Sequence, residues 1–167
     1  LLKNLRFWGN SSSFVLKLAG FGLVLDQLIK YWIVHVHEFG AFGLTPVLPF
    51  LDLVLVWNKG ISYGLFQQES LMGQIFLAGF TVAASIALWL WSVRSTSRIE
   101  LWALALILGG ALGNGVDRVV YGKVVDYIYF HVGTFSWYVF NLADVLIVVG
   151  AAIMVFESII LGKGKDS

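Results

Sequence analysis

The chain has 167 residues, of which 59% are hydrophobic, 16% aromatic and only 13% charged. An ordinary soluble domain is about 25% charged, and a soluble fold of this size leaves too much surface in water to hide so apolar a chain. Composition therefore excludes a soluble globule, a disordered chain and a disulfide-stapled miniprotein. Eleven Lys and Arg against ten Asp and Glu give a formal charge of +1, too little for a nucleic-acid partner. The absence of cysteine removes disulfides, thiol nucleophiles and thiolate metal sites.

A membrane-crossing helix needs about 20 mostly apolar residues. The chain reads as an all-α integral membrane protein, a single membrane-embedded domain over residues 1–167 with four transmembrane helices. The first covers about 14–34 and holds Lys17, Asp26 and Lys30. Asp26 and Lys30 interrupt any signal-peptide core and no small-x-small cleavage site follows, so it reads as a retained helix. A long loop, about 38–69, is rich in β-branched and aromatic residues over 47–66, with Asn58-Lys59-Gly60 as a turn signal. The second helix covers about 71–93, with no charge between Glu69 and Arg94, and the third about 99–120. A second long loop, about 122–138, contains the strand-like stretch 124–130, and the fourth helix covers about 139–161.

The two long loops predict a small extramembrane β element on the external side. Trp57, Tyr63, Tyr127, Tyr129, Trp137 and Tyr138 would rest at the membrane surface, where amphipathic rings sit best. Small residues recur every four positions at Ala105, Gly109 and Gly113 and again at Gly79, Ala83 and Ala87. Both sets are expected to let helix backbones approach closely in lipid. Lys3, Arg6, Lys17, Arg94, Arg98, Lys163 and Lys165 fall in the same set of short segments, which predicts cytoplasmic termini and external long loops.

Polar residues inside such a chain need a reason, because a charge at the bilayer centre costs at least about 2.5–3.5 kcal/mol. Asp26, Lys30, Asn58, Asn114, Asp117, Arg118, Asp126, Asn141 and Asp144 fall mostly near the external helix ends. Each also has a plain structural explanation. Asp26 and Lys30 at i and i+4 make an intrahelical ion pair. Asn114 and Arg118 share a helix face, with Asp117 close by, and can lock helices together. Asn141 and Asp144 fit an N-cap with an acidic residue three positions on. Asp126 fits an exposed loop carboxylate.

Other chemistries fit less well. Ser11, Ser12, Ser13 and Lys17 lie on the wrong side for an external Ser–Lys dyad, and nothing marks Ser62, near Lys59, as activated. His35, His37 and His131 make a poor zinc set, and no H-E-x-x-H or phosphate-binding motif occurs. No metal or cofactor is expected. Asp126 and Asp144, 18 residues apart, flank one short loop that can fold back and bring them together. Two close carboxylates share a proton, so that one can serve as base towards water and the other as acid towards a carbonyl.

Five segments then resemble the bacterial lipoprotein signal peptidases (signal peptidase II). They are Asp26-Gln-Leu-Ile-Lys30; Asn58-Lys-Gly60-Ile-Ser-Tyr-Gly64; Gly109-Gly-Ala-Leu-Gly-Asn114-Gly-Val-Asp-Arg118; Val124-Val-Asp126-Tyr; and Phe140-Asn-Leu-Ala-Asp144, in family order. The resemblance implies a metal-independent aspartic peptidase with Asp126 and Asp144 as catalytic residues. Asn114, Arg118, Asn141 and Ala143 would support the site or contact substrate, and Asp26, Lys30, Asn58 and Gly60 match further characteristic positions. It implies as substrate a prolipoprotein whose lipobox cysteine carries diacylglyceryl, cut just before that cysteine. It also implies a multi-pass protein of the bacterial inner membrane, in contact with membrane lipid, with its active site near the external face. A monomer is expected.

The chain departs from the family pattern in two places. The Asn58 block has Ile-Ser-Tyr where Ala-Ala-Phe is usual, which touches a loop that would cover substrate, and Tyr127 stands where Phe is usual. Two rival readings are a small proton-coupled membrane transporter using Asp26 and Lys30, and a noncatalytic membrane scaffold. A transporter would place its carboxylate near the midplane.

Overall fold

The computed structural model describes residues 7–40, 43–60 and 71–160. The expectations placed on Lys3, Arg6, Ser62, Tyr63, Gly64, Glu69, Lys163 and Lys165 lie outside the described residues. Four long helices and a small sheet alternate along the chain: α1 (Ser12–His35), β1 (Leu44–Leu48), β2 (Leu51–Asn58), α2 (Leu71–Arg94), α3 (Arg98–Tyr121), β3 (Val124–Val132), β4 (Phe135–Ser136) and α4 (Leu142–Ile160). All four helices are long and apolar enough to cross a membrane.

Helix α3 packs against α1, α2 and α4 and forms the axis of the bundle. Half of its most apolar stretch (50%) is buried inside the protein, against 11% for α4, so α4 keeps most of its apolar surface for lipid. Local chemistry fixes both ends of α3. The Ser97 hydroxyl accepts from the Glu100 backbone N–H, with Glu100 itself in the first turn. At the other end Gly122 takes the left-handed conformation, φ 69°, and donates to the Arg118 carbonyl, turning the chain into β3 within two residues.

The strands form one antiparallel sheet in the order β1-β2-β3-β4. Ile33 of α1 packs with Val125 and Tyr127 of β3 in a small core that docks the sheet onto the bundle. A second core, built on Val15, Ala19, Leu101, Ala105 and Leu108, holds α1 against α3 further from the sheet.

Two details differ from the expectations. Helix α4 begins at Leu142, not near residue 139, because Phe140 is drawn into the sheet. Its N–H donates to Ile128 O at 3.0 Å and its carbonyl accepts from Ile128 N at 2.8 Å. The two small-residue series also behave differently. A Cβ on Gly109 would stand 2.8 Å from the Ala19 carbonyl oxygen, one on Gly113 would stand 2.6 Å from Asp26 Oδ2, and one on Gly110 would overlap the Ala143 carbonyl. Gly79, Ala83 and Ala87 are instead exposed, and a Cβ on Gly79 would meet nothing within 4 Å. A four-residue spacing puts small residues on one helix face but does not say whether a neighbour covers it.

This contrast is testable by thermal unfolding in detergent. Gly110→Ala should lower stability by about 1–3 kcal/mol through overpacking. Gly79→Ala should leave it unchanged or slightly raised, since alanine favours a helix over glycine.

Candidate active site

Asp126 sits in β3 and is 3% exposed. It pairs across the ladder with Val56, so Asn58, two residues along β2, is its diagonal neighbour on the same face. Asn58 Nδ2 donates to Asp126 Oδ2 at 2.9 Å, while Asn58 Oδ1 accepts from the Gly60 N–H at 2.9 Å. That turn fixes the amide, so its nitrogen must face the carboxylate.

Asp144 lies in the first turn of α4. Asn141 caps the helix, its Oδ1 accepting from Asp144 N at 2.9 Å, and Asp144 Oδ2 accepts in return from Asn141 N at 3.2 Å. This is a reciprocal capping box closed by Asp in place of the usual Glu. The cap leaves the Asn141 amide nitrogen free to turn inward. It donates to Asp126 Oδ1 at 2.7 Å and to Asn114 Oδ1 at 3.1 Å. Asn114 Nδ2 in turn donates to Asp144 Oδ1 at 2.9 Å. Two amides thus bridge the two carboxylates.

Behind the amides lies a buried ion cluster. Lys30 Nζ is 2.8 Å from Asp26 Oδ2, 2.8 Å from Asp117 Oδ2 and 3.0 Å from Asn114 Oδ1. An ammonium has three N–H donors, so all three are engaged. Asp26 Oδ1 accepts from the Ala143 N–H at 3.0 Å, and Asp117 Oδ2 accepts from the Val125 N–H at 3.0 Å. Gln27 Nε2 supports both acids, reaching Asp117 Oδ1 at 2.9 Å and Asp26 Oδ2 at 3.3 Å, and it also meets the Gly113 carbonyl at 3.1 Å. Arg118 donates to the Asn114 carbonyl at 3.2 Å and to the Gly60 carbonyl at 3.1 Å, tying α3 to the chain leaving β2. Tyr127 accepts from Leu142 N at 3.2 Å, and burial holds its phenol above the usual range, hence neutral.

All ten residues singled out for the site fall within this one network: Asp26, Lys30, Asn58, Gly60, Asn114, Arg118, Asp126, Asn141, Ala143 and Asp144. Two members of the ion cluster were not among them. Asp117 was visible only as a polar residue beside Asn114, and Gln27 carried no signal beyond its neighbours. The histidines stand apart from the network: His35 beside Tyr121, His37 beside Thr45 and His131 beside Asp52.

Two cavities open on the carboxylates from different sides. One, about 290 Å³, lies between the sheet and α4 and is walled by Tyr138, Phe140, Val145 and Val148. The other, about 280 Å³, lies among α2, α3 and α4 and is walled by Leu77, Phe80, Ala111 and Ile147. Asn58, Asp126 and Asp144 line both. Burial first, and then the charge of Asp144, push Asp126 up to about 7 against the opposing hydrogen bonds from Asn58 and Asn141. The two carboxylates therefore keep a proton near neutrality.

A model of the family described as signal peptidase (SPase) II matches residues 18–160. The chain belongs to the signal peptidase II family. It is 47% identical over 148 residues to a lipoprotein signal peptidase of Rhodopseudomonas palustris, covering 86% of this chain and 90% of that protein. It is 46% identical over 136 residues to one from Beijerinckia indica, covering 81% of each. Among solved structures, a bacterial membrane enzyme obtained by the in meso method superposes with a TM-score of 0.81 at 26% identity, covering 93% of each chain. As a signal peptidase II this protein is a membrane aspartic peptidase, and nothing in these likenesses supports the transporter reading.

The raised value of Asp126 makes a signed prediction for this signal peptidase II. An acid whose folded value lies above its unfolded value adds stability at low pH and loses that contribution as pH climbs through the folded value. Asp126→Asn removes the titration. The stability of Asp126→Asn relative to the parent should therefore rise as pH climbs from about 4 to about 7, by up to about 4 kcal/mol if the full difference is expressed. Thermal unfolding of both proteins across that range measures it, and a flat difference would contradict the assignment.

Proposed function

We propose that Asp126 and Asp144 are the catalytic pair of this signal peptidase II. Its substrate is a prolipoprotein with diacylglyceryl on its lipobox cysteine, and the cut falls just before that cysteine. The observation that carries the reading is the bridged pair: two carboxylates, each fixed by amide donors, sharing a proton and lining the same two apolar cavities.

The chemistry is general acid–base hydrolysis without a covalent intermediate. The ionised carboxylate takes a proton from a water as its oxygen bonds to the scissile carbonyl carbon. The protonated carboxylate gives its proton to the carbonyl oxygen, forming a neutral gem-diol. Collapse returns one hydroxyl proton to a carboxylate and delivers the other carboxyl proton to the leaving nitrogen as the C–N bond breaks. Asp126, with its raised value, is the acid of the first step. Asp144, held by N–H donors from Asn114 and Asn141 at the start of α4, serves as the base. Apolar walls keep bulk water away from both. The substrate, a signal helix with two acyl chains, enters sideways from lipid, and the cavities between helices hold its apolar parts.

The protein acts as a monomer in the bacterial inner membrane, with both termini cytoplasmic and the pair near the external face. The basic residues Arg94 and Arg98 at the α2–α3 turn support this orientation. Because the chain has no cysteine, single-cysteine labelling is clean. In intact cells an impermeant maleimide should label Thr134→Cys in the β3–β4 hairpin and not Thr96→Cys in the α2–α3 turn. The reverse pattern would invert the topology.

The decisive assay is cleavage of a diacylglyceryl-modified prolipoprotein by purified protein in detergent. Cleavage should persist with a chelator. It should fall by at least about 10³-fold in Asp126→Asn and in Asp144→Asn, with both variants still folded. Equal activity in either variant would remove the pair from the mechanism. No cleavage by well-folded parent protein would remove the function.

A further inference from the structure

The ion cluster holds more than its own charges. Asp26 binds the backbone N–H of Ala143, the residue before Asp144, and Asp117 binds that of Val125, the residue before Asp126. Both acids are held by the same Lys30 ammonium, whose third N–H meets Asn114, the amide that bonds Asp144. One cation on α1 therefore anchors the chain immediately before each carboxylate of the pair, one on β3 and the other on α4. Lys30 is 2% exposed, and Asp26 and Asp117 are fully buried. The cavities that open on the pair are not lined by any of the three.

We propose that Lys30, acting through Asp26, Asp117 and Asn114, is the positioning residue that sets both the spacing of Asp126 and Asp144 and the orientation of the Asn114 amide. Without the ammonium, Asp26 and Asp117 repel each other and their backbone anchors separate. The Asn114 oxygen also loses the partner that keeps its nitrogen turned towards Asp144. A misplacement of about 1 Å at a reacting group can cost on the order of 10²-fold in rate. The effect falls on the chemical step and not on substrate binding, because Lys30 lies behind the pair.

The charge of the cluster also acts on the proton that the pair retains. Among the described residues, the ionisable groups facing the pair are Asp26 and Lys30 from α1, Asp117 and Arg118 from α3, Tyr127 from β3 and, across the cavity, Tyr138 ahead of α4. The lining residues of α2 are uncharged, and Lys59 follows β2. Removing a cation holds the proton to higher pH, and removing an anion releases it at lower pH.

This inference rests on the aspartic pair being catalytic, and the test separates the two. Cleavage of the modified prolipoprotein is measured for the parent, Lys30→Met, Asp117→Asn and the double variant Lys30→Met/Asp117→Asn, across pH. The double variant keeps the formal charge of the cluster and guards against a fold lost to uncompensated acids. Lys30→Met and the double variant should each lose on the order of 10²-fold in kcat with KM nearly unchanged. The alkaline limb should move up by about one pH unit in Lys30→Met and down by a similar amount in Asp117→Asn. It should return towards the parent in the double variant. A purely structural role would not shift the two single variants in opposite directions. Parental kcat in the double variant, or limbs that stay put or move together, would overturn the positioning role while leaving the catalytic pair intact. An inactive parent protein would overturn the pair itself.

Discussion

Charge balance in a dry interior governs this molecule. Asp26, Asp117, Asp126 and Asp144 are gathered where α1, α3, α4 and β3 meet, and two cations, Lys30 and Arg118, accompany them. Four ionised carboxylates against two cations would leave two uncompensated charges away from water, which is expensive. The cluster resolves this unevenly. Lys30 sits directly between Asp26 and Asp117, while Arg118 spends its donors on carbonyl oxygens. Half of the shortfall is met at Asp126, which keeps a proton close to pH 7. Hydrolysis by an aspartic pair needs one proton between two carboxylates. The charge deficit thus supplies what the proposed pair requires.

That cluster forms only because three helix backbones come unusually close. Gly109 lies against the Ala19 carbonyl of α1, Gly110 against the Ala143 carbonyl of α4, and Gly113 against both Asp26 and Ala143. A side chain at Gly113 would occupy the position of Asp26 Oδ2 and push apart the acid that binds Ala143. The glycines on α3 therefore act on the site through distance. They let α1 bring Lys30 within reach of Asp117 on α3 and let Asp26 reach the first turn of α4. Packing, ion pairing and the placement of Asp144 form one causal chain.

What could be read in the sequence, and what could not, divides along the same physical lines. Contacts fixed by helical periodicity were legible. Asp26 and Lys30 pair at i and i+4, and Asn141 and Asp144 close a cap across three residues. Four apolar stretches announced the spans. Contacts between elements were not legible from spacing. Asp117 is the second partner of Lys30 only because α1 and α3 meet there, and Asn58 finds Asp126 only through the register of β2 on β3. The start of α4 was misplaced because Phe140 answers to a strand partner twelve residues earlier. The Gly79 series looked like the Gly109 series because spacing defines a face without naming its neighbour. The five family-like segments supplied the grouping that periodicity could not.

The two carboxylates belong to different kinds of element, and their relative position depends on how rigidly those elements dock. Asp126 rides on a strand and Asp144 on a helix, with a short hairpin and an extended stretch between them. A loop of that length would leave the spacing loose. Three ties across the gap prevent it. Phe140 pairs with Ile128, the Tyr127 hydroxyl accepts from Leu142 N, and the Asn141 amide joins Asp126 to Asn114. Each lies within two residues of a carboxylate, on one side of the loop or the other. The ion cluster adds its backbone anchors at Val125 and Ala143 from the opposite side. The pair is thereby clamped from in front by the sheet and from behind by α1. Among the described residues, only its two cavity-facing sides stay open, each between apolar walls.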